Sequence, residues 1–197
     1  MKKISFSDKY GLTQAVLDGR KTMTRRFVNG NYTSVIISEG KFLGVVGNGK
    51  DYIKLVPKYK IGEVVAIAQS YSDCGNMPDY GLDEDGYPIM PKRSGFFNKM
   101  FVRADLMPHH IRITNIKIKR LQDISDGDCL KEGIYKLNSA NGNGGIAYSF
   151  VGASSSKHIG LYASPREAFA ALIDKVSGKG TWESNPYVFA YEFELID

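Results

Sequence analysis

The stretch "NPYVFAYEFELI", residues 185–196, decides the fold because its apolar side chains alternate with the period of a β-strand. A strand with this pattern buries one face and exposes the other. The buried face would carry Tyr187, Phe189, Tyr191, Phe193 and Leu195. We therefore predict a terminal strand that presents a row of large apolar side chains to the core.

The segment before this strand predicts a helix. In "SPREAFAALIDKVSG", residues 164–178, Ser164 caps the helix, Pro165 opens it and Glu167 completes a capping box. Gly178 follows the last apolar residue and ends the helix. The apolar side chains recur at helical spacing and form one face, which comprises Phe169, Leu172, Ile173 and Val176.

A second strand contains an irregularity. In "HHIRITNIKIKRLQDI", residues 109–124, Ile111 and Ile113 have one parity, whereas Ile116 and Ile118 have the other. A regular strand cannot turn both pairs to one face, so we predict a β-bulge near residues 114–115. After this strand, Ser125 can cap a short helix that ends before Gly133 and carries Glu132 in its last turn.

The remaining elements complete an α+β fold. A short N-terminal strand precedes a helix that Gly19 ends, residues 25–46 predict β-structure with Asn-Gly turns, and residues 64–68 predict a strand buried on both faces. Residues 72–98 and 136–160 are rich in Gly, Pro, Ser or Asn and predict two long loop insertions. Since no βαβ rhythm is present, we expect one domain, residues 1–197, built as a compact mixed barrel with flanking short helices.

Composition places few limits on function. The chain has 197 residues and a net charge of +5, which permits a nucleic-acid or nucleotide partner without demanding one. Cys74 and Cys129 are far apart and have no metal-binding spacing, so we expect reduced thiols and a cytoplasmic protein. The N-terminal residues contain no long apolar run, and we expect neither a signal peptide nor a membrane span.

The segment "GRKTMTRR", residues 19–26, supports two readings. In the first, it is a solvated basic segment that contacts phosphate or water. In the second, burial and the charges of Arg20, Arg25 and Arg26 depress the pKa of Lys21, which then accepts the proton of the Thr24 hydroxyl. Because side chains three apart in a regular strand point to opposite faces, the second reading requires the chain to bend between Lys21 and Thr24.

Other candidate residues carry weaker signals. Glu132 is either a solvated acid or, at a helix C-terminus that disfavours negative charge, the partner of a cation. Tyr71 and the single tryptophan, Trp182, could stack on a base or serve only in packing. The histidines lack metal-binding spacing, so we expect no metal site, and no motif calls for a cofactor.

Four segments in order, "AVLDGRKTMTRR", "YKIGEVVAIAQSY", "LQDISDGDCLKEGI" and "FAALIDKVSGKGTWESNPYVFAYEFEL", resemble the ASCH domain family of the PUA-like superfamily. The resemblance spans nearly the whole chain, and "GRKTMTRR" and "LKEG" are its most specific parts. It implies a small PUA-like β-barrel. The two long loops would be insertions between family elements.

The resemblance implies two activities. PUA-like barrels commonly bind RNA or modified bases, and a small bacterial member of the ASCH family is an amidohydrolase that removes the acyl group from N4-acetylcytidine. The catalytic lysine and threonine of that member fall on Lys21 and Thr24, and its glutamate falls on Glu132. Thr24 would be the nucleophile, Lys21 its base and Glu132 a proton carrier or substrate orienter.

Two functions from different classes therefore remain open. The first is binding of RNA or a modified nucleobase or nucleoside in a basic cleft, with ligand contacts from Arg20, Arg25, Arg26, Tyr71 and Trp182. The alternative is an amidohydrolase that deacylates N4-acetylcytidine or a related amide at Lys21, Thr24 and Glu132. A regulator that binds a partner protein through the loops is a third possibility. The sequence does not indicate the oligomeric state.

Overall fold

The structure, a computed structural model, has the mixed α+β architecture that the sequence predicts. It describes residues 1–47, 49–89, 94–138, 146–150 and 160–197. In chain order the strands are β1 (Lys2–Ile4), β2 (Met23–Phe27), β3 (Ser34–Ser38), β4 (Lys41–Val46), β5 (Asp51–Leu55), β6 (Val64–Ile67), β7 (His110–Arg120), β8 (Tyr135–Asn138), β9 (Ile146–Ser149) and β10 (Tyr187–Leu195). The helices are α1 (Leu12–Leu17), α2 (Tyr71–Cys74), α3 (Asp126–Lys131), α4 (Pro165–Ser177) and α5 (Thr181–Ser184). Short 3-10 turns cover Asp8–Tyr10, Lys99–Phe101, Ala104–Leu106 and Leu121–Asp123.

The main sheet has five strands in the order β1-β6-β7-β10-β2. β1 runs parallel to β6, and the other neighbours are antiparallel. β10 lies between β7 and β2, so the alternating aromatic strand occupies an interior position in the sheet. The predicted strand at residues 64–68 corresponds to β6, which is buried on both faces because Val65 and Ile67 pack in the main core and Ala66 packs in a second cluster.

The predicted bulge is confirmed. Asn115 pairs with Glu192, but the next pair along the two strands is Ile113 with Phe193, so Thr114 is the extra residue in β7. This single insertion changes the parity of the strand. It lets the isoleucines on both sides of the bulge pack against one core.

A closed barrel is not present in the part of the chain that the structure describes. β1 and β2 are the two edges of the main sheet, and they do not pair with each other. A side chain joins these edges instead, because Arg26 Nη2 donates to the Ser5 carbonyl at 2.7 Å. The α+β prediction is therefore confirmed, whereas the predicted barrel is not shown. The main sheet of the described residues is open and has five strands.

Two smaller sheets lie outside the main one. β3, β4 and β5 form an antiparallel meander whose first turn is Glu39-Gly40, with positive φ at both residues. The expected Asn-Gly turn at Asn29-Gly30 connects strands of different sheets, and Asn48 lies outside the described residues. β8 and β9 pair as a hairpin, so the predicted loop at residues 136–160 contains strand structure at its start. The rest of that loop lies largely outside the described residues.

The helix α4 has the predicted ends. The Ser164 hydroxyl accepts from the Glu167 N–H at 3.2 Å, and the Glu167 carboxylate accepts from the Ala163 N–H at 3.2 Å. The helix ends at Ser177, and Gly178 follows with a φ of 109°. No helix among residues 1–47, 49–89, 94–138, 146–150 and 160–197 is long and apolar enough to cross a membrane.

The core is organised around the aromatic face of β10. Phe193 contacts Phe6 near β1, and Tyr191 meets Tyr59 edge to face at a centroid distance of 5.3 Å. Phe189 meets Phe42 of β4 at 5.6 Å, which attaches the small meander to the main sheet. The alternation seen in the sequence thus identifies the strand that supplies the centre of the core.

Candidate functional site

Helix α3 and the turn that follows it place Glu132. The Ser125 hydroxyl caps the helix by accepting from the Asp128 N–H at 3.1 Å. The helix ends at Lys131, so Glu132 directly follows the helix instead of lying in its last turn as the sequence predicts. Gly133 comes next and has a φ of 103°. Asp128 and Glu132 are four residues apart, so both carboxylates lie on the same side of this short helix.

Lys21 lies outside strand β2, so the rule that strand residues three apart point to opposite faces does not apply to Lys21 and Thr24. β2 begins at Met23, and the residues before it are fixed by other elements. The Lys21 N–H donates to the Ala15 carbonyl of α1 at 2.8 Å, and the Thr22 N–H donates to the Lys131 carbonyl of α3 at 2.9 Å. The chain therefore bends before the strand starts.

The ammonium group of Lys21 is enclosed by three acceptors. Nζ donates to the Glu132 carboxylate at 2.7 Å, to the Glu132 carbonyl at 2.7 Å and to the Met23 carbonyl at 2.8 Å. A protonated lysine has three N–H donors, and all of them have partners here. The side chain is only 2% exposed, so this ammonium is almost completely removed from bulk solvent.

Arg25 completes a buried cluster of charges. Its Nη1 donates to the second Glu132 carboxylate oxygen at 2.8 Å, and its Nη2 lies 3.3 Å from the Asp128 carboxylate. The Arg25 side chain is 2% exposed, and its guanidinium faces the Phe169 ring at 5.8 Å. Glu132 thus neutralises two cations that follow one another closely in the sequence.

Burial controls the proton affinity of Lys21. Loss of hydration disfavours its charged form and lowers the pKa of Lys21 below the ordinary 10.5, although the neighbouring Glu132 carboxylate acts in the opposite direction. The positive charges of Arg26 and Arg25 lower this pKa further. The reading of residues 19–26 as a solvated basic segment therefore does not apply to Lys21 or Arg25, which are buried.

A cavity of about 530 Å³ opens beside this cluster, and we call it the Glu132 cavity. One side is polar and includes Lys21, Thr24, Arg25, Arg26 and Glu132. The other side is apolar and is formed chiefly by α4 together with the segment after β1, which contribute Phe6, Leu12, Phe169, Leu172, Ile173 and Val176. The structure thus brings the three predicted catalytic residues to the lining of one hollow.

Thr24 is the member of the set that is open to a ligand. It lies on β2 opposite Tyr191 of β10 and is 5% exposed. Among the described residues no side chain or backbone group forms a hydrogen bond with its hydroxyl, and the hydroxyl is not joined to Lys21. A hydroxyl without a protein partner on the wall of a cavity can bond to a bound molecule.

Three predicted ligand residues lie elsewhere. Arg20 is exposed and pairs with Asp18 at 2.9 Å, so it neither lines the Glu132 cavity nor crowds Lys21. Tyr71 is buried in a separate cluster, where its hydroxyl accepts from the Arg103 N–H at 2.9 Å. Trp182 packs edge to face on Phe169 at 6.1 Å and attaches α5 to α4. Tyr71 and Trp182 therefore serve in packing, the second of the two alternatives that the sequence left open.

Some residues of the site were not predicted. Asp128 holds Arg25, and its four-residue spacing from Glu132 is a signal that could have identified it. Lys99, in the segment after the first long loop, lines the cavity and pairs with Asp8 at 2.7 Å, and no sequence pattern marks either residue. Within the described ranges no group of three His, Cys, Asp or Glu side chains could hold a metal ion. Cys74 and Cys129 are free thiols.

Comparisons with known proteins add little to this picture. No family model matches the chain, and no curated protein matches it. One solved structure that is similar is protein EF3133 from Enterococcus faecalis V583, described with the family model DUF984. The two chains are 14% identical, the match covers 100% of this chain and 81% of that chain, and the TM-score is 0.40. At that TM-score the likeness carries no argument about fold or function.

Proposed function

We propose that this chain is a PUA-like protein of the ASCH type that binds a modified nucleoside in the Glu132 cavity and hydrolyses an amide on its base. The reaction would be that of an N4-acylcytidine amidohydrolase. The observation that carries the proposal is that Lys21, Thr24 and Glu132, from two segments far apart in the chain, line the same hollow. The resemblance of these segments to ASCH proteins supports it independently.

The size and lining of the cavity favour a small ligand. About 530 Å³ falls within the range of roughly 300–1,000 Å³ that is typical of small-molecule sites. Ile173 and Val176, the more accessible residues on the apolar side of α4, offer surface for the flat face of a base. The polar side offers a hydroxyl and charged groups to its substituents. A folded RNA helix is too large for this space, whereas a single nucleoside fits.

The proposed reaction has two steps. The Thr24 oxygen attacks the carbonyl carbon of the amide, so that an O–C bond forms and the Thr24 proton passes to the Lys21–Glu132 pair. The C–N bond then breaks, and this proton goes to the nitrogen, which leaves as the amino group of cytidine. In the second step water attacks the acyl-threonine ester, releases the carboxylic acid and restores the Thr24 hydroxyl.

For this role, Lys21 must lose a proton before it can accept one. Burial lowers the pKa of Lys21 and so favours the neutral amine, which can accept the Thr24 proton. The negative charge that develops on the amide oxygen needs a donor. Arg25 Nε is buried and has no acceptor among the described residues, so Arg25 is the candidate.

The test is to incubate the purified protein with N4-acetylcytidine and to follow the release of cytidine. We expect turnover that falls by about 10²-fold or more in Thr24→Ala and in Lys21→Ala, the range for loss of a positioned acid-base group. Thr24→Ser should retain part of the rate because a hydroxyl remains. Thr114→Ala, at the exposed bulge of β7, is the control and should leave the rate unchanged.

Binding without chemistry is the second candidate, and the open Thr24 hydroxyl favours it as well. Saturable binding of cytidine or N4-acetylcytidine with no cytidine release would establish a binding module. Turnover that persists in both Thr24→Ala and Lys21→Ala would reject the assigned catalytic site. Absence of both binding and turnover for these compounds would reject the nucleoside proposal.

A further inference from the structure

A second cavity of about 490 Å³ adjoins the Glu132 cavity. It lies between β2, β5 and β10, and we call it the tyrosine cavity because Tyr32, Tyr59 and Tyr191 line it. The two cavities share three lining residues, which are Ser5, Arg26 and Phe27. The two cavities therefore meet at Arg26.

The charges of the two cavities differ. The tyrosine cavity is lined by three cations, Arg26, Lys54 and Lys58, and by no acidic residue. In the part of the chain that the structure describes, none of these three forms an ion pair. In the Glu132 cavity, by contrast, Lys21 and Arg25 are compensated by carboxylates. The Glu132 cavity also includes the cations Lys9, Lys99 and the shared Arg26, but only the tyrosine cavity has cations and no carboxylate in its lining.

Arg26 is held at the boundary between the cavities. Its Nη2 donates to the Ser5 carbonyl at 2.7 Å, and its guanidinium carbon lies 5.8 Å from the centroid of the Phe6 ring. These contacts fix the direction of the side chain while leaving other N–H groups of the guanidinium without a protein acceptor among the described residues. A guanidinium fixed in this way is suited to two-point recognition of a phosphate.

Two of the three tyrosines supply rings rather than free hydroxyls. Tyr59 donates to the Lys3 carbonyl at 3.1 Å, Tyr32 donates to the Asn29 carbonyl at 2.6 Å, and the Tyr191 hydroxyl accepts from the Lys58 N–H at 2.9 Å. The O–H groups of Tyr32 and Tyr59 are therefore engaged with the backbone, whereas the O–H of Tyr191 can still donate. An anionic group that enters this cavity has Arg26, Lys54 and Lys58 as its charged partners.

We infer that the ligand of this protein is a nucleoside phosphate that occupies both cavities. Its base and sugar lie in the Glu132 cavity, and its phosphate passes Arg26 into the tyrosine cavity to meet Lys54 and Lys58. The inference rests on the proposed function, which it extends by assigning the substrate a phosphate. The phosphate belongs either to a free nucleotide or to a nucleotide within a chain.

The experiment compares the affinities of cytidine, cytidine 5′-phosphate and cytidine 3′-phosphate by titration calorimetry. We expect one of the phosphates to bind roughly tenfold or more tightly than cytidine, because charge-assisted bonds to phosphate are strong. This advantage should shrink with added salt. It should disappear in the double variant Lys54→Gln/Lys58→Gln, while the affinity for cytidine itself stays unchanged.

The matched control is Lys119→Gln/Lys136→Gln, which removes two exposed lysines that line neither cavity and should preserve the phosphate advantage. A tetranucleotide of cytidine separates the two sources of phosphate. If the tetranucleotide binds more tightly than the mononucleotide, and if the double variant loses this difference, the phosphate belongs to a nucleotide within a chain. Weaker binding supports a free nucleotide. Equal affinity for cytidine and both of its phosphates, or an advantage that survives the double variant, overturns the inference.

A kinetic comparison keeps this inference separate from the proposed function. With N4-acetylcytidine and its 5′- and 3′-phosphates as substrates, Lys54→Gln/Lys58→Gln should raise KM for the preferred phosphate and leave kcat unchanged. Turnover of the nucleoside without any phosphate preference rejects only the phosphate site. If no cytidine compound binds, pyrophosphate titration decides whether an anion site exists. Pyrophosphate binding that needs both lysines then upholds the anion site, and its absence rejects that site too.

Discussion

Lys21 and Glu132 are joined twice, because Lys21 Nζ donates at 2.7 Å both to the carboxylate of Glu132 and to its backbone carbonyl. The second bond fixes the position of the Glu132 main chain as well as its side chain. Residues 111 positions apart in the sequence therefore form a rigid unit. Arg25 closes it from the other carboxylate oxygen at 2.8 Å.

Removal of the Glu132 carboxylate should destabilise the protein. In Glu132→Ala two buried cations lose their common counter-charge, and breaking such a buried pair costs about 3–5 kcal/mol. Urea unfolding gives the free energy directly. Glu183→Ala, which removes an exposed acid on α5, is the control and should change it by less than about 0.5 kcal/mol. Equal effects of the two variants would contradict the assigned charge cluster.

The contribution of Lys21 to the free energy of unfolding should increase as the pH rises in the alkaline range. The folded-state pKa of Lys21 is lowered from 10.5, so between the two values the unfolded chain binds more protons than the folded one. Unfolding free energy therefore increases with pH up to about 10.5 and is flat above it. The difference between the wild type and Lys21→Met, measured by urea unfolding at successive pH values, isolates this contribution. If the difference in unfolding free energy between the wild type and Lys21→Met falls as the pH rises to about 10.5, the pKa of Lys21 is raised and not lowered.

Gly133 should be required for the site, and Gly178 offers a matched comparison. Both have a φ near the same value, 103° and 109°, so alanine is strained at each by about 1 kcal/mol or more. A Cβ at Gly133 would also lie 3.2 Å from Leu12 and 3.6 Å from the Lys21 side chain, whereas a Cβ at Gly178 meets nothing within 4 Å.

We therefore expect Gly133→Ala to be the more destabilising change and to weaken cytidine binding. Gly178→Ala should lower the melting temperature and leave binding unaltered. Thermal unfolding and titration with cytidine measure the two effects. Identical behaviour of the two variants would mean that the contact between Gly133 and Lys21 does not matter.

The two thiols should differ in reactivity. Burial raises the pKa of Cys129 to about 12, and its side chain is fully enclosed, so almost none of it is thiolate at neutral pH. Cys74 ends the short helix α2 and is partly exposed. Iodoacetamide should alkylate Cys74 in the folded protein and both cysteines in urea, as mass spectrometry would show. Early modification of Cys129 in the folded protein would refute its burial.

Local sequence patterns predicted several strands and helices correctly. The β10 strand, the capped helix α4 and the bulge at Thr114 follow from side-chain period and from capping residues, which depend only on neighbours in the sequence. The hairpin of β8 and β9 was missed because its residues lie in a polar, glycine-rich stretch with little period. The predicted barrel is not shown among the described residues, since strand closure depends on long-range pairing that local patterns do not reveal.

Local patterns also indicated candidate site residues but not their surroundings. The crowding of cations at residues 19–26 marked Lys21 and Arg25, yet Arg20, in the same run, is directed to solvent. Tyr71 and Trp182 were candidates only because of their chemistry, and packing uses both. The catalytic roles of Lys21, Thr24 and Glu132 stay predictions.

The sequence by itself determined the strand β10, both ends of the helix α4 and the bulge in β7, because period and capping act over a few residues. Only the tertiary structure decided that Lys21, Arg25 and Glu132 form one buried cluster beside the Thr24 hydroxyl. The reason is physical. Whether a charge is solvated or desolvated depends on what the folded chain packs around it, and α1, α3 and α4 come from three distant segments.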